Sequence, residues 1–149
     1  MIRILFVCTG NTCRSPMAEA ILKSKAIPGV EVKSAGVSAN YGSMASQHAI
    51  SVLQEQNIPQ QHRSTQISHL EVNWATYILT MTEGHKIAII SHFPLATGKT
   101  LTLKEFAGES FDKDIVDPYG GPLDLYRDTF NEINNRIEEI INRIKKETN

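Results

Sequence analysis

The 149-residue sequence is short of several things. It has only two cysteines, Cys8 and Cys13, both in one short segment, so no disulfide framework clamps distant parts of the chain. Neither sign of charge is in excess: 15 basic residues stand against 16 acidic ones, a formal net charge of -1. Without an extended basic field, neither nucleic acid nor an acidic membrane surface is an expected partner. Apolar runs are broken by polar residues well before the length of a membrane-spanning helix. Met1-Ile2-Arg3-Ile4 leads into a strand-like segment rather than a secretion signal. These absences predict a cytoplasmic protein with one domain over residues 1–149.

What is present is a regular alternation of elements. Ile2 to Val7 is an apolar, β-branched run too hydrophobic to be half exposed, and the turn-forming series Thr9-Gly10-Asn11-Thr12 follows it. Ser15-Pro16 supplies a capping side chain and a proline at the first helical position, ahead of Met17, Ala18, Ile21 and Leu22. Pro28-Gly29 ends that helix, and Val30 to Ala35 reads as a second strand. Ser43 is expected to cap a helix reaching about Asn57. Tyr77 to Met81 reads as a third strand, Glu83 to Ser91 as a helix and Thr100 to Leu103 as a short fourth strand. Lys104 to Gly121 lacks periodicity and reads as a long loop carrying Asp117-Pro118-Tyr119. Tyr126, Phe130, Ile133, Ile137, Ile140 or Ile141, and Ile144 then mark a terminal amphipathic helix begun by Pro122. This order predicts an α/β fold, a single four-stranded parallel sheet with helices on both faces.

The segment from Cys8 to Ser15 lies where the first strand gives way to the first helix. Open α/β sheets bind ligands beyond the carboxyl ends of their strands, and a loop entering a helix can turn successive N–H groups toward one anion. Cys8 would sit at the base of that concavity, where amide dipoles and Arg14 favour a thiolate nucleophile. The planar fork of Arg14 suits two non-bridging phosphate oxygens. The loop has one glycine and no Lys-Ser or Lys-Thr pair, so it is neither a Walker loop nor a dinucleotide fingerprint. Two cysteines without a nearby histidine pair do not close a zinc site.

Val7-Cys8-Thr9-Gly10-Asn11-Thr12-Cys13-Arg14-Ser15-Pro16, with Ser34-Ala35-Gly36 and Asp117-Pro118-Tyr119, resembles the low-molecular-weight protein tyrosine phosphatase family over essentially the whole chain. The resemblance implies that Cys8 is the nucleophile, Arg14 the phosphate clamp and Asp117 the general acid, with a phosphocysteine intermediate and neither cofactor nor metal. It makes Thr9, Gly10, Asn11, Thr12, Cys13 and Arg14 the phosphate-binding loop. Asn11 would hold the loop in a strained shape, Ser15 would support the thiolate, and Cys13 would form a reversible disulfide with Cys8 on oxidation.

Thr12 stands where tyrosine-specific members usually carry an aliphatic residue, and it resembles the bacterial protein arginine phosphatase branch. That branch implies arginine-phosphorylated proteins as substrates, a bacterial protein-arginine kinase as the opposing enzyme and a role in stress-linked quality control. Tyrosine phosphatase activity is the alternative, with Tyr119 as a wall for a flat substrate group. An arsenate reductase would need further cysteines, and this chain has none after Cys13, while a noncatalytic phosphate-binding or redox module would not require Asp117. Tyr41, Arg63 and Ser64 are rim candidates, while Trp74 and Tyr77 read as core or cleft-edge aromatics. His48, His62, His69, His85 and His92 have no metal-ligand spacing and are assigned no catalysis.

Overall fold

Four strands meet in one parallel sheet in a computed structural model that describes residues 1–148; Asn149 of the expected domain lies outside the described residues. The strands are β1 (Ile2–Cys8), β2 (Val30–Gly36), β3 (Tyr77–Thr80) and β4 (Thr100–Thr102), in the spatial order β2-β1-β3-β4. β1 pairs with β2 from Ile2–Val30 to Cys8–Gly36, and with β3 from Ile4–Tyr77 to Val7–Thr80. Bonded on both edges and covered on both faces, β1 has no exposed side chain except Arg3, which explains its unbroken apolar run.

The helices are α1 (Arg14–Ser24), α2 (Gln47–Glu55), α3 (His69–Trp74), α4 (Glu83–His92), α5 (Leu103–Phe106) and α6 (Leu123–Thr148), with a 3₁₀ segment at Pro94–Lys99. Period-two alternation along β1 divides the core between them. Ile2, Ile4, Phe6 and Cys8 face the apolar sides of α1, α2 and α6, whereas Leu5 and Val7 pack with Val72 of α3 and Ile89 of α4. In α6, Tyr126, Phe130, Ile133, Ile137, Ile140 and Ile144 are buried, each worth about 1.5–3 kcal/mol of apolar transfer. Among the described residues, no helix is long and apolar enough to cross a membrane.

The structure corrects four local expectations. α1 begins at Arg14 with Cys13 as N-cap and no side-chain cap, so Ser15 lies inside the first turn and Pro16 is its third residue, not its first. The first-turn N–H groups have no intrahelical partner in any case, so proline costs nothing there. Ser46, not Ser43, caps α2, since its oxygen accepts from Ala49 N at 3.4 Å. Ser43 is instead tied to Ser64, whose N–H donates to the Ser43 carbonyl at 2.7 Å. β4 stops at Thr102, because the Thr102 and Glu105 side chains form a capping box that starts α5 inside the expected loop. An equivalent box of Ser68 and Glu71 builds α3, an element the sequence reading did not contain.

Candidate active site

β1 delivers Cys8 to the point where the chain first steps outward to β2 and later returns to β3 on the other side, the switch point at which open sheets form crevices. A cleft of about 340 Å³ opens there. It is lined by Cys8, Thr9, Gly10, Thr12, Cys13 and Arg14 from the loop, by Ser38, Asn40 and Ser43 from the segment after β2, and by Asp117 and Tyr119. Three separate parts of the chain thus converge on one cleft. Among the described residues, the N–H groups of Gly10, Asn11, Thr12 and Cys13 donate to no backbone acceptor, which leaves these amide donors to serve an anion in the cleft.

Asn11 organises the loop from beneath. It is fully buried and left-handed at φ 57, a conformation that costs a non-glycine residue about 1–2 kcal/mol. Its carboxamide repays the strain by donating to Ser15 Oγ at 2.8 Å and Ser34 Oγ at 2.9 Å, and by accepting from Thr65 N at 2.9 Å. Its carbonyl accepts from Ser64 Oγ at 3.0 Å and His62 Nε2 at 2.6 Å. Since both amide protons of Asn11 are spent on serines, Ser15 is an acceptor there and its single proton is free for Cys8 Sγ, 2.8 Å away. Ser34 passes its own proton to Glu19 Oε1 at 2.5 Å, and His62 Nδ1 faces the same carboxylate at 3.5 Å. Burial would raise the Glu19 pKa, but the hydrogen bonds from His62, Lys23 and Ser34 prevail and hold it down to about 2.

Arg14 is 4% exposed, yet its fork reaches the opposite wall. Nη1 donates to the Ile115 carbonyl at 2.9 Å, and Nη2 lies 3.6 Å from Asp117 Oδ2. Asp117 is half exposed, and its other oxygen accepts from Tyr119 N at 3.1 Å. Gly36 makes the loop's close approach to β2 possible, because a Cβ there would sit 2.5 Å from the Thr9 carbonyl oxygen. Cys13 is buried, with Sγ 3.3 Å from Tyr126 Oη and 3.4 Å from Ser46 Oγ. Burial, with the Cys13 contact next, pushes the Tyr126 phenol up to about 12.

The rim candidates divide. Ser64 lies buried under the loop, and Tyr41 and Arg63 border a neighbouring groove with Glu19 and His62 rather than the Cys8 cleft. Tyr77 packs edge-on against Phe106, and Trp74 lies under the ammonium of Lys33. Two histidines assigned no role touch the loop: His62 through Asn11, and His85, whose Nε2 is 2.8 Å from Thr9 Oγ1. They are 51 and 76 residues from their partners, so no local spacing could have marked them. Among the described residues, no three metal-ligating side chains converge.

Comparison with known proteins places the chain among phosphatases in sequence and fold. A curated protein-arginine-phosphatase of Geobacillus stearothermophilus is 52% identical over 145 residues, covering 97% of each chain. The solved structure described as YwlE arginine phosphatase from the same organism superposes with a TM-score of 0.96, covering 99% of this chain and 95% of that one. A second YwlE structure, a Cys-to-Ser mutant with a phosphorylated active-site serine, is 39% identical with a TM-score of 0.93, covering 97% of each chain. The family model for low molecular weight phosphotyrosine protein phosphatases matches residues 3–149. With the family model matched over nearly its whole length and a relative 52% identical, this chain belongs to the low molecular weight phosphotyrosine protein phosphatase family.

Proposed function

We propose that this protein removes phosphate from phosphoarginine side chains of other proteins, using Cys8 as nucleophile. The observation that carries the reading is the convergence of Cys8, Arg14, Asp117 and Thr12 on one cleft. The names of the 52%-identical relative and of its structure support the choice of substrate. In the first step Cys8 Sγ attacks phosphorus, an S–P bond forms and the P–N bond to the guanidino group breaks. Asp117 gives its proton to the departing nitrogen, while Arg14 and the loop amides hold the equatorial oxygens. Water then attacks phosphorus, Asp117 takes its proton, and the S–P bond breaks to release inorganic phosphate and the Cys8 thiolate.

Thr12 places a hydroxyl in the wall, suiting a polar guanidino head better than an aliphatic residue would. A second reading, phosphotyrosine hydrolysis by the same steps, is favoured by the exposed ring of Tyr119 in that wall. The remaining parts of the reading are a cytoplasmic setting, stress-linked quality control, an opposing protein-arginine kinase and an oxidative off-switch joining Cys8 to Cys13. Turnover of matched phosphoarginine and phosphotyrosine peptides by the native protein, Thr12→Ile and Cys8→Ser tests the core of it. A phosphoarginine preference that Thr12→Ile erodes, with no turnover by Cys8→Ser, is expected. Phosphotyrosine preference unchanged by Thr12→Ile rejects the substrate, and turnover by Cys8→Ser rejects the mechanism.

A further inference from the structure

His85 is the one residue of α4 whose ring meets the Cys8–Ser15 loop, and its two nitrogens stand in different situations. Nε2 is 2.8 Å from Thr9 Oγ1. Nδ1 is buried and has no hydrogen-bond partner among the described residues, in a side chain whose residue is 7% exposed. Burial first, and the positive charge of Arg14 second, push the imidazole pKa down to about 4, against smaller opposing effects of Asp117 and Asp114. The ring is therefore neutral near pH 7 and carries a single N–H. Placed on Nδ1, that proton would be an orphaned buried donor. Placed on Nε2, it bonds to Thr9 and leaves only an unpaired lone pair, the cheaper defect.

This choice of tautomer dictates what Thr9 offers. A threonine hydroxyl has one proton and two lone pairs. With one lone pair occupied by His85 Nε2–H, the hydroxyl proton and the second lone pair remain for the cleft that Thr9 lines. A phosphorylated guanidino group presents both complements: phosphoryl oxygens that accept, and N–H groups beside the bridging nitrogen that donate. A phosphorylated phenol presents acceptors alone.

We infer that His85 is a positioning residue that orients the Thr9 hydroxyl, so that Thr9 reads the N–H of a phosphoguanidino substrate as well as its phosphoryl oxygen. The inference rests on the proposed phosphoarginine activity for its substrate, whereas the His85–Thr9 coupling is independent of it.

The test combines the native protein with a mutant cycle. Nitrogen-15 NMR of the native imidazole is expected to find the proton on Nε2, and a proton on Nδ1 overturns the inference. His85→Leu and Thr9→Val are each expected to lower kcat/KM for phosphoarginine peptide roughly tenfold, the scale of one lost hydrogen bond to a charged group. The double variant should lose little more than Thr9→Val alone, since His85 acts through Thr9. His85→Gln, whose amide N–H replaces Nε2–H, should recover most of the loss. Additive losses, or a folded His85→Gln no better than His85→Leu, overturn the coupling. If His85→Leu does not fold, Thr9→Val decides: activity equal to native overturns the inference. Thr9→Val should cost more on phosphoarginine than on phosphotyrosine, and equal losses overturn the reading of N–H. Should the native protein prefer phosphotyrosine, the proposed substrate falls with it, and the same cycle run on phosphotyrosine peptide still reads the coupling.

Discussion

Asn11 donates to Ser15 Oγ at 2.8 Å, and this bond fixes the direction of the next one, from Ser15 to Cys8 Sγ. An amide nitrogen has no lone pair to offer, so Ser15 has nowhere better to send its proton than the sulfur. A buried asparagine four residues from the serine thus sets the polarity at the proposed nucleophile without touching it.

Asn11→Ala removes the carboxamide bonds to Ser15, Ser34 and Thr65 and leaves a β-carbon at φ 57. It should destabilise the protein by roughly 2–4 kcal/mol. Asn11→Gly, free of the backbone strain, should be about 1 kcal/mol more stable than Asn11→Ala while losing as much activity. Urea unfolding and kcat on the same samples check this; full activity in the glycine variant would show that strain, not the network, matters.

Gly36→Ala puts a methyl group 2.5 Å from the Thr9 carbonyl oxygen and 3.0 Å from Asn11 N. Both are backbone atoms of the loop, so the loop must shift. A loss of about 1–3 kcal/mol is expected, with a larger proportional fall in kcat than in stability. Thermal unfolding and turnover measured together separate the two.

Glu19 links the network to acid stability. Its folded pKa of about 2 lies below its ordinary value of 4.5, so its stabilising contribution is complete above pH 4.5 and is lost as pH falls from there through 2. The shift corresponds to on the order of 3 kcal/mol at neutral pH. Glu19→Gln should be less stable than the native protein at pH 7, with the difference shrinking by about pH 3. Urea midpoints across that range give the answer; a constant difference would mean the carboxylate charge contributes nothing.

Peroxide supplies the oxidant for the proposed Cys8–Cys13 switch. The Cys8 thiolate would form a sulfenic acid as peroxide is reduced, and the Cys13 thiol would then displace water to leave a disulfide. Mass spectrometry should find a loss of about 2 Da and abolished activity, both reversed by dithiothreitol. Cys13→Ser should instead proceed to an irreversible sulfinic acid, and recovery of that variant by dithiothreitol would contradict the pairing.

Much of this site was legible because its central parts are contiguous. A buried strand, a glycine- and asparagine-bearing loop and a helix start lie within Ile2 to Ile21, where periodicity and turn chemistry can be read directly. The serines misled because hydroxyls cap helices only when nothing better competes, and the hydroxyl of Ser15 is taken by Cys8 and Asn11. Ser43, expected to cap α2, is instead tied to Ser64, while a backbone bond from Ser46 to Thr12 sets Ser46 at the cap position. His62, His85 and Glu19 were invisible for another reason: their roles come from contacts across the fold, not from spacing along it.

Arg14 does more than face Asp117. Its bond to the Ile115 carbonyl, together with the Ile115 N–H bonded to the Met81 carbonyl at 2.8 Å, moors the chain two residues before Asp117. With a trans peptide spacing of about 3.8 Å, Asp117 has a leash of only about 7 Å from that mooring. The proposed acid is therefore held on a short arm from the same guanidinium that would clamp phosphate, so a substrate drawing Arg14 forward would pull on the anchor of its proposed proton donor.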